Sequence, residues 1–359
     1  MRFDLSPRHS QLAHRVFAGA KLPVLEWWAA RHLAHGMPRP RIRIVACAAA
    51  MPNAAVIVRR RGGVIERLAV DLDWARSREG FSTLLRRVGI FVRLLSDPAV
   101  ADGDWRADCG DEVRVEGPVL GFCTRWRDTI LVPDRSFVTK RGYEHERRAG
   151  RAAPPFEDRD PAIVWRGGPN GIGASVTDPL EPAAPGLKQR VALCLRLRDR
   201  PRSGPEAVDV RIARGRSVDA DLAARYAAAD ILGEFVPQRS WCGRRFAIDV
   251  DGNANAFSNL FIRLLYGCCV IRVASPRGYR QWYHDRLVPG RHYVPVAADL
   301  SDLDAVIDWC RRHPADCAAI AREGQRLALE MTYAGEMRRT VETIARRGPP
   351  PTAATPAAS

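Results

Sequence analysis

Residues 246–273 read FAIDVDGNANAFSNLFIRLLYGCCVIRV, and the hydrophobic period changes twice along this stretch. Residues 246–250 form a short β-favouring run. Residues 251–256 are rich in Gly, Asn and Asp and demand a turn. Phe257, Leu260, Phe261, Leu264 and Leu265 then recur at helical spacing, Gly267 stops the helix, and 268–273 are apolar and short enough for a buried strand. Strand, polar turn, helix and strand make a βαβ unit, which implies a parallel sheet. Ligands of such sheets bind at the carboxyl ends of the strands, where the DGNANAFS turn sits. Its amides and the helix N-terminus behind it suit a phosphate or pyrophosphate.

The same reading gives two α/β halves. In the first, 41–47, 55–59 and 65–70 are strand-like, 78–95 keep a helical period, and 129–132 form a strand ending at Pro133-Asp134. A polar stretch over 147–159, with Pro154 and Pro155, predicts a linker between domain 1–150 and domain 151–335. In the second, 162–165 and 208–212 are strands and 167–186 form an irregular Gly/Pro loop. Residues 190–198 fit either a helix or a strand, and 303–312 and 315–331 are helical. A last helix over 336–347 and a disordered Pro/Ala tail over 348–359 complete the expectation.

A chain of 359 residues suits two domains, and 46% hydrophobic residues with 27% charged suit a globular protein. The net charge of +15 calls for an anionic partner: nucleic acid, an acidic membrane surface or a phosphorylated substrate. Genomic composition explains an Arg- and Ala-rich chain equally well. No dense basic block with interleaved aromatics marks a nucleic-acid groove, so nucleic acid is not an expected partner. The nine cysteines form no CxxC pair, which argues against a zinc or redox site. Residues 1–14 are polar, with no secretory signal, and no apolar run reaches a membrane span of about 20 residues. These features point to a reduced, cytoplasmic setting.

The order WRGG (165–168), AIDVDGNANAFSNLF, LLYGCCVIRV, YRQWYHDRLVPGRHYVPV and DLSDLDAVIDW resembles the CAP10-like glycosyltransferases, glycosyltransferase family 90. That family contains capsule and lipopolysaccharide-modifying enzymes and protein O-glucosyltransferases. The resemblance spans roughly 128–348 and fades before it. It implies a GT-B-like fold, with two Rossmann-like domains facing across a cleft. It also implies an inverting transfer of a glucose- or xylose-class sugar from a UDP-sugar to a glycan, lipopolysaccharide or capsule acceptor. The UDP-sugar is then the donor substrate, and no resident cofactor or metal is needed. A bacterial type of enzyme is expected, cytoplasmic and in peripheral contact with the anionic inner membrane. The runner-up is a sugar-nucleotide- or glycan-binding protein without turnover.

The resemblance also assigns residues. Asp134, after the β run TILVP and before RSFV, is the candidate base; the bland alternative is a turn cap, and His145 is a weaker base. Arg190 matches the diphosphate arginine, with Arg196 or Arg198 as alternatives across the Gly/Pro insertion. Arg166 and Gly167 of WRGG face the donor, Arg166 binding phosphate or tying loops together. Gly168 stands where the family more often has Ser. Gly252, Asn253, Asn255, Ala256, Phe257, Ser258 and Asn259 form the donor loop, against the alternative of an ordinary capped βα turn. Trp282, Tyr283, His292 and Tyr293 are read as support beneath it, with Asp285 and Arg286 as a local ion pair. DxD occurs six times, so the pattern carries no information, and Asp249–Asp251 is read as turn-forming and capping rather than metal-binding.

Overall fold

A computed structural model describes residues 23–27, 29, 42–47, 51–52 and 54–350. The polar stretch 1–14 and the tail from 351 onward lie outside the described residues. The chain divides into two compact units, 1–138 with 333–359, and 139–332.

The first unit is built on a six-stranded sheet. Its strands are β1 (Arg43–Ala46), β2 (Ala55–Arg61), β3 (Val64–Val70), β4 (Gly103–Asp108), β5 (Leu120–Gly121) and β6 (Ile130–Leu131). Their order is β1-β3-β2-β4-β5-β6. β2 runs antiparallel to both β3 and β4, while β1–β3, β4–β5 and β5–β6 are parallel. The sheet is therefore mixed, unlike the parallel sheet expected of a Rossmann-like half. The reason is local: Gly62 and Gly63 both have positive φ, close a tight hairpin and force β3 back along β2. A short helix α1 (Leu72–Arg76) leads into α2 (Arg78–Leu95). Ser77 caps α2 by accepting from the Gly80 amide at 2.9 Å. α2 buries Phe81, Leu84, Val88, Phe91, Val92 and Leu95, and Phe91 lies 5.0 Å from the Phe122 ring. β4 is a strand that the sequence reading misses, in which Asp104 and Arg106 alternate with buried Trp105 and Ala107.

After β6 comes α3 (Arg135–Thr139). The polar stretch expected as a linker instead contains a helix, α4 (Glu144–Arg151), which belongs to the second unit. α4 buries only Glu146 and Gly150, so it carries no apolar stripe to read. At Gly150 a Cβ would sit 2.0 Å from the Leu265 carbonyl oxygen, so this helix approaches its neighbour backbone to backbone.

In the second unit, β7 (Ile163–Gly167), β8 (Val208–Ala213) and β9 (Leu232–Gly233) form one parallel sheet, with α5 (Gln189–Leu197) and α6 (Ala220–Ala228) in the crossovers. The undecided 190–198 segment is thus helical. β10 (Phe246–Asp249), β11 (Cys269–Val273) and β12 (Val294–Val296) form a second parallel sheet, crossed by α7 (Ser258–Leu265). The sheets adjoin where Asp160 donates its amide to Gly243 and accepts from the Arg245 amide, both at 2.9 Å. The succession β9-β8-β7-β10-β11-β12 is a doubly wound order that reverses between β7 and β10. One core runs through it, including Ile163, Leu195, Val210, Ile248, Ile271, Val296 and Ile307. α8 (Leu303–Arg312) and α9 (Pro314–Glu330) close the unit. The last helix, α10 (Tyr333–Arg347), returns to the first unit, where Tyr333 packs 6.3 Å from Phe137.

Candidate functional site

A doubly wound sheet opens a crevice where its strand order reverses, because the two flanking crossovers leave in opposite directions. Here that point lies between the ends of β7 and β10. It gathers WRGG (165–168), Arg190 at the start of α5 and the loop 251–257.

Arg190 holds the crevice together. Its Nε donates to the Asp251 carbonyl at 2.8 Å, Nη2 to the Val250 carbonyl at 3.1 Å and Nη1 to the Gly168 carbonyl at 3.2 Å. The guanidinium thereby joins the segment after β7 to the segment after β10. It lies 5.7 Å from the Trp165 ring. Burial lowers its pKa, opposed by Asp249 and Asp251, yet an arginine stays charged. The close approach explains Gly252, where a Cβ would meet Nη2 at 3.0 Å.

The loop residues 251–259 are cross-tied. Gly252 donates its amide to the Ala254 carbonyl at 2.8 Å. Asn255, buried, donates to the Asp251 carboxylate at 3.0 Å and to the Tyr279 carbonyl at 3.4 Å. Asn259 donates to the Asp249 carboxylate at 2.9 Å. Asn253 is exposed and accepts from the Gly171 amide at 3.0 Å, so the Gly/Pro loop after β7 is fastened to the loop 251–257. Ala256 and Phe257 are half-buried. Phe257 stands before α7 with φ 48° and ψ −111°, a conformation costly for a side chain bearing a Cβ. No side chain caps α7, and in its first turn the Asn259 amide donates to the Ala256 carbonyl at 3.1 Å. Ser258 opens the helix and supplies no cap.

Burial raises the pKa of Asp251 and the Asp249 charge adds to this, while hydrogen bonds from Ser275 and Asn255 and the charge of Arg272 oppose it. Both aspartates face amide side chains. Among the described residues no group of three or more His, Cys, Asp or Glu side chains is placed to hold a metal.

Arg166 is placed differently from Arg190. Its guanidinium pairs with the Asp209 carboxylate at 2.5 Å and donates to the carbonyls of Asp209 and Glu234. That arrangement ties β7, β8 and the end of β9 together. Gly167 admits the Trp165 ring, which would lie 2.6 Å from a Cβ there. Arg196 pairs with Asp304 at 3.0 Å and Arg198 lies beside Asp199 at 3.7 Å, so neither reaches the crevice.

Asp134 stands in the first unit and is buried. Its Oδ1 accepts from the amides of Ser136 at 2.8 Å and Phe137 at 3.2 Å, which caps α3. His145 is exposed and belongs to the second unit. Trp282 and Tyr283 are buried against Phe261 of α7, at 5.5 Å and 5.1 Å, beneath the donor loop. The buried His292 accepts from the Val288 amide at 2.9 Å and shapes its own turn.

Sequence reasoning missed Ser217, whose Oγ would lie 2.8 Å from a Cβ on Gly168. It reaches the rim from the loop after β8, some fifty residues away in sequence, and no local pattern announces it. A cavity of about 640 Å³ lies elsewhere, lined by Val294, Val306, Trp309 and Ile320 among others. It does not coincide with the crevice at the β7–β10 reversal.

Residues 194–336 match the family described as Glycosyl transferase family 90. An invertebrate iridescent virus 6 protein, "Uncharacterized protein 179R", is 30% identical over 196 residues, covering 50% of this chain and 16% of that protein. Human "Protein O-glucosyltransferase 3" is 30% identical over 87 residues, 24% of this chain and 17% of the relative. The chain therefore spans only a minor part of these relatives. Among solved structures, Anabaena HepE in complex with UDP-glucose aligns over 75% of this chain and 70% of its own, at 11% identity and a TM-score of 0.33. The pneumococcal O-GlcNAc transferase GtfA, with UDP and GlcNAc, aligns over 54% of this chain and 37% of its own, at 11% identity and a TM-score of 0.32. The stretch similar to glycosyl transferase family 90 thus includes the loop 251–257, the strands β10 to β12 and the helices α8 and α9.

Proposed function

We propose that this chain is an inverting, metal-independent glycosyltransferase that moves a glucose- or xylose-class sugar from a UDP-sugar to a hydroxyl of a glycan, lipopolysaccharide or capsule acceptor. The observation that carries this reading is the crevice at the β7–β10 reversal. There Arg190 fastens two strand-end loops and the amides at the start of α7 lack a side-chain cap. Departure of a nucleoside diphosphate places negative charge on its phosphates, and oriented amides next to a guanidinium stabilise that charge without a metal. Gly252, Asn253, Asn255, Ala256, Phe257, Ser258 and Asn259 bind the donor in this reading, with Arg190 and Gly167 holding the loops around it. Arg166 supports them from the strands.

Asp134 takes the acceptor proton. A carboxylate held by two amides is rigid, and rigidity places a base well. In-line attack by the acceptor hydroxyl, on the side opposite the departing nucleoside diphosphate, inverts the anomeric carbon in this reading. The nine free thiols suit a reducing cytoplasm. Among the described residues no helix is long and apolar enough to cross a membrane.

Asparagine at position 134 keeps an oxygen for the α3 cap and removes the base. Asp134→Asn is therefore expected to fold normally and to lose at least about a hundredfold in UDP release with a competent acceptor. Equal turnover in the two proteins would remove Asp134 as the base. The second reading, binding without turnover, draws on the commitment of Asp134 Oδ1 to two backbone amides. Calorimetric UDP binding with neither transfer nor donor hydrolysis by the wild type would favour it.

A further inference from the structure

The first unit carries a feature that sugar transfer does not use. Residues directly opposite one another in neighbouring strands share one face of a sheet. The strand registers align Arg43, Arg67, Arg59 and Asp104 in one row, and Val45, Ala69, Ile57 and Arg106 in the next. The alternate rows, with Leu68, Val58 and Trp105, are buried on the other face. Arg61 lies beyond the first row, close enough to Asp104 for a 3.9 Å contact, and Glu66 sits at the bulge where the register shifts. The face thus presents Arg43, Arg59, Arg61, Arg67 and Arg106 against Asp104 and Glu66, a net of three positive charges. Arg43, Arg61, Arg67 and Arg106 are exposed. Asp104 pairs with Arg59, whereas Arg43, Arg67 and Arg106 make no ion pair within 4.0 Å among the described residues, Arg67 acting on Asp104 only at longer range.

Two large apolar side chains are exposed in the same unit beside these strands. Val64, 44% exposed, stands at the β2–β3 hairpin. Trp27, 52% exposed, belongs to the helical residues 23–27, which lie along the free edge of β1 because Glu26 accepts from the Ile44 amide at 2.7 Å. Four strands spaced about 4.8 Å apart make a broad, shallow surface rather than a pocket. Unpaired arginines on a shallow face, with Val45, Ile57 and Ala69 half-exposed between them and a tryptophan at the margin, match the chemistry of an anionic bilayer. The guanidinium groups meet headgroup phosphates, and indole favours the interfacial layer. A free polyanion in water would gain nothing from Trp27 or Val64.

We propose that the exposed face of the β1-β3-β2-β4 sheet is a docking surface for an anionic lipid bilayer. The proposal does not rest on the transferase reading. The test is co-sedimentation of the full chain with vesicles of phosphatidylglycerol and phosphatidylcholine, against phosphatidylcholine alone, at 0.1 M and 0.5 M salt. The wild type is expected to bind the anionic vesicles at low salt, and to be released at high salt because surface charges are screened. The triple variant Arg43→Gln, Arg67→Gln, Arg106→Gln is expected to bind about a hundredfold more weakly, since each arginine near a charged membrane contributes roughly fivefold. A control variant, Arg322→Gln, Arg338→Gln, Arg346→Gln, removes the same charge elsewhere and is expected to lose less than about threefold. Trp27→Ala keeps every charge and is expected to weaken binding by about tenfold. Circular dichroism of each variant confirms the fold before binding is compared. Equal losses in the two triple variants would reduce the effect to net charge and overturn the proposal. So would wild-type indifference to lipid charge, or displacement by millimolar tripolyphosphate of a protein whose affinity Trp27→Ala leaves unchanged.

Discussion

Arg190 and Arg166 show how residues of one type, 24 positions apart in sequence, take different tasks. Both lie near a strand end of the same unit. Arg190 bonds only to carbonyls and stays within reach of the crevice, whereas Arg166 is neutralised by Asp209. At Gly252 the consequence is steric. Gly252→Ala pushes a methyl group to 3.0 Å from a guanidinium fixed by three hydrogen bonds. Overpacking of this kind costs about 1–3 kcal/mol, so a lower Tm and weaker calorimetric UDP binding are expected together. Asp251 gives a pH-dependent prediction. Burial raises its folded pKa above the unfolded value, so the stability that the protonated form contributes is present below the unfolded pKa and lost as pH rises through the folded one. Asp251→Asn, which cannot ionise, is expected to raise Tm relative to wild type at pH 7.5. That gain shrinks as the buffer is taken down towards pH 4, and a gain independent of pH would refute the burial argument.

At the scale of elements, α7 is held at both ends by unusual means. Its N-terminus begins after a strained Phe257 and has no side-chain cap. At its C-terminus, the buried Arg159 donates to the carbonyls of Tyr266 and Gly267 at 2.8 Å and 2.9 Å. A cation at that end complements the helix dipole and satisfies carbonyls that have no intrahelical partner. Arg159→Met preserves bulk and removes the donors. It is expected to cost about 2–4 kcal/mol in chemical denaturation, because buried carbonyls are left unpaired. On the proposed function the loop before α7 binds the donor, so the same variant is expected to weaken UDP binding even though Arg159 lies at the far end of the helix.

At the scale of the whole molecule, the second unit is a continuous stretch, while the first is closed by a helix that returns from the C-terminus. If the crevice belongs to the second unit alone, UDP is expected to raise the melting temperature of the transition reporting residues 139–332, since a ligand bound by the native state stabilises it. A thermal-shift series over nucleotides checks this, and no shift with any uridine nucleotide would count against the donor site. All nine cysteines are free, so a reducing agent is expected to leave that melting temperature unchanged.

The sequence by itself determined the βαβ unit at 246–273 and the position of its polar turn, because the change of hydrophobic period is local and survives without knowledge of neighbours. It also determined α2, whose apolar stripe runs the length of the helix. The tertiary structure alone decided the mixed sheet of the first unit and the helix hidden in the polar stretch at Glu144–Arg151. It also decided the division of labour between Arg166 and Arg190, and the arrival of Ser217 beside Gly168. Periodicity reports which face of an element is buried. It does not report which strand lies beside which, nor which carbonyl a guanidinium will meet, since those depend on contacts between residues far apart in the chain.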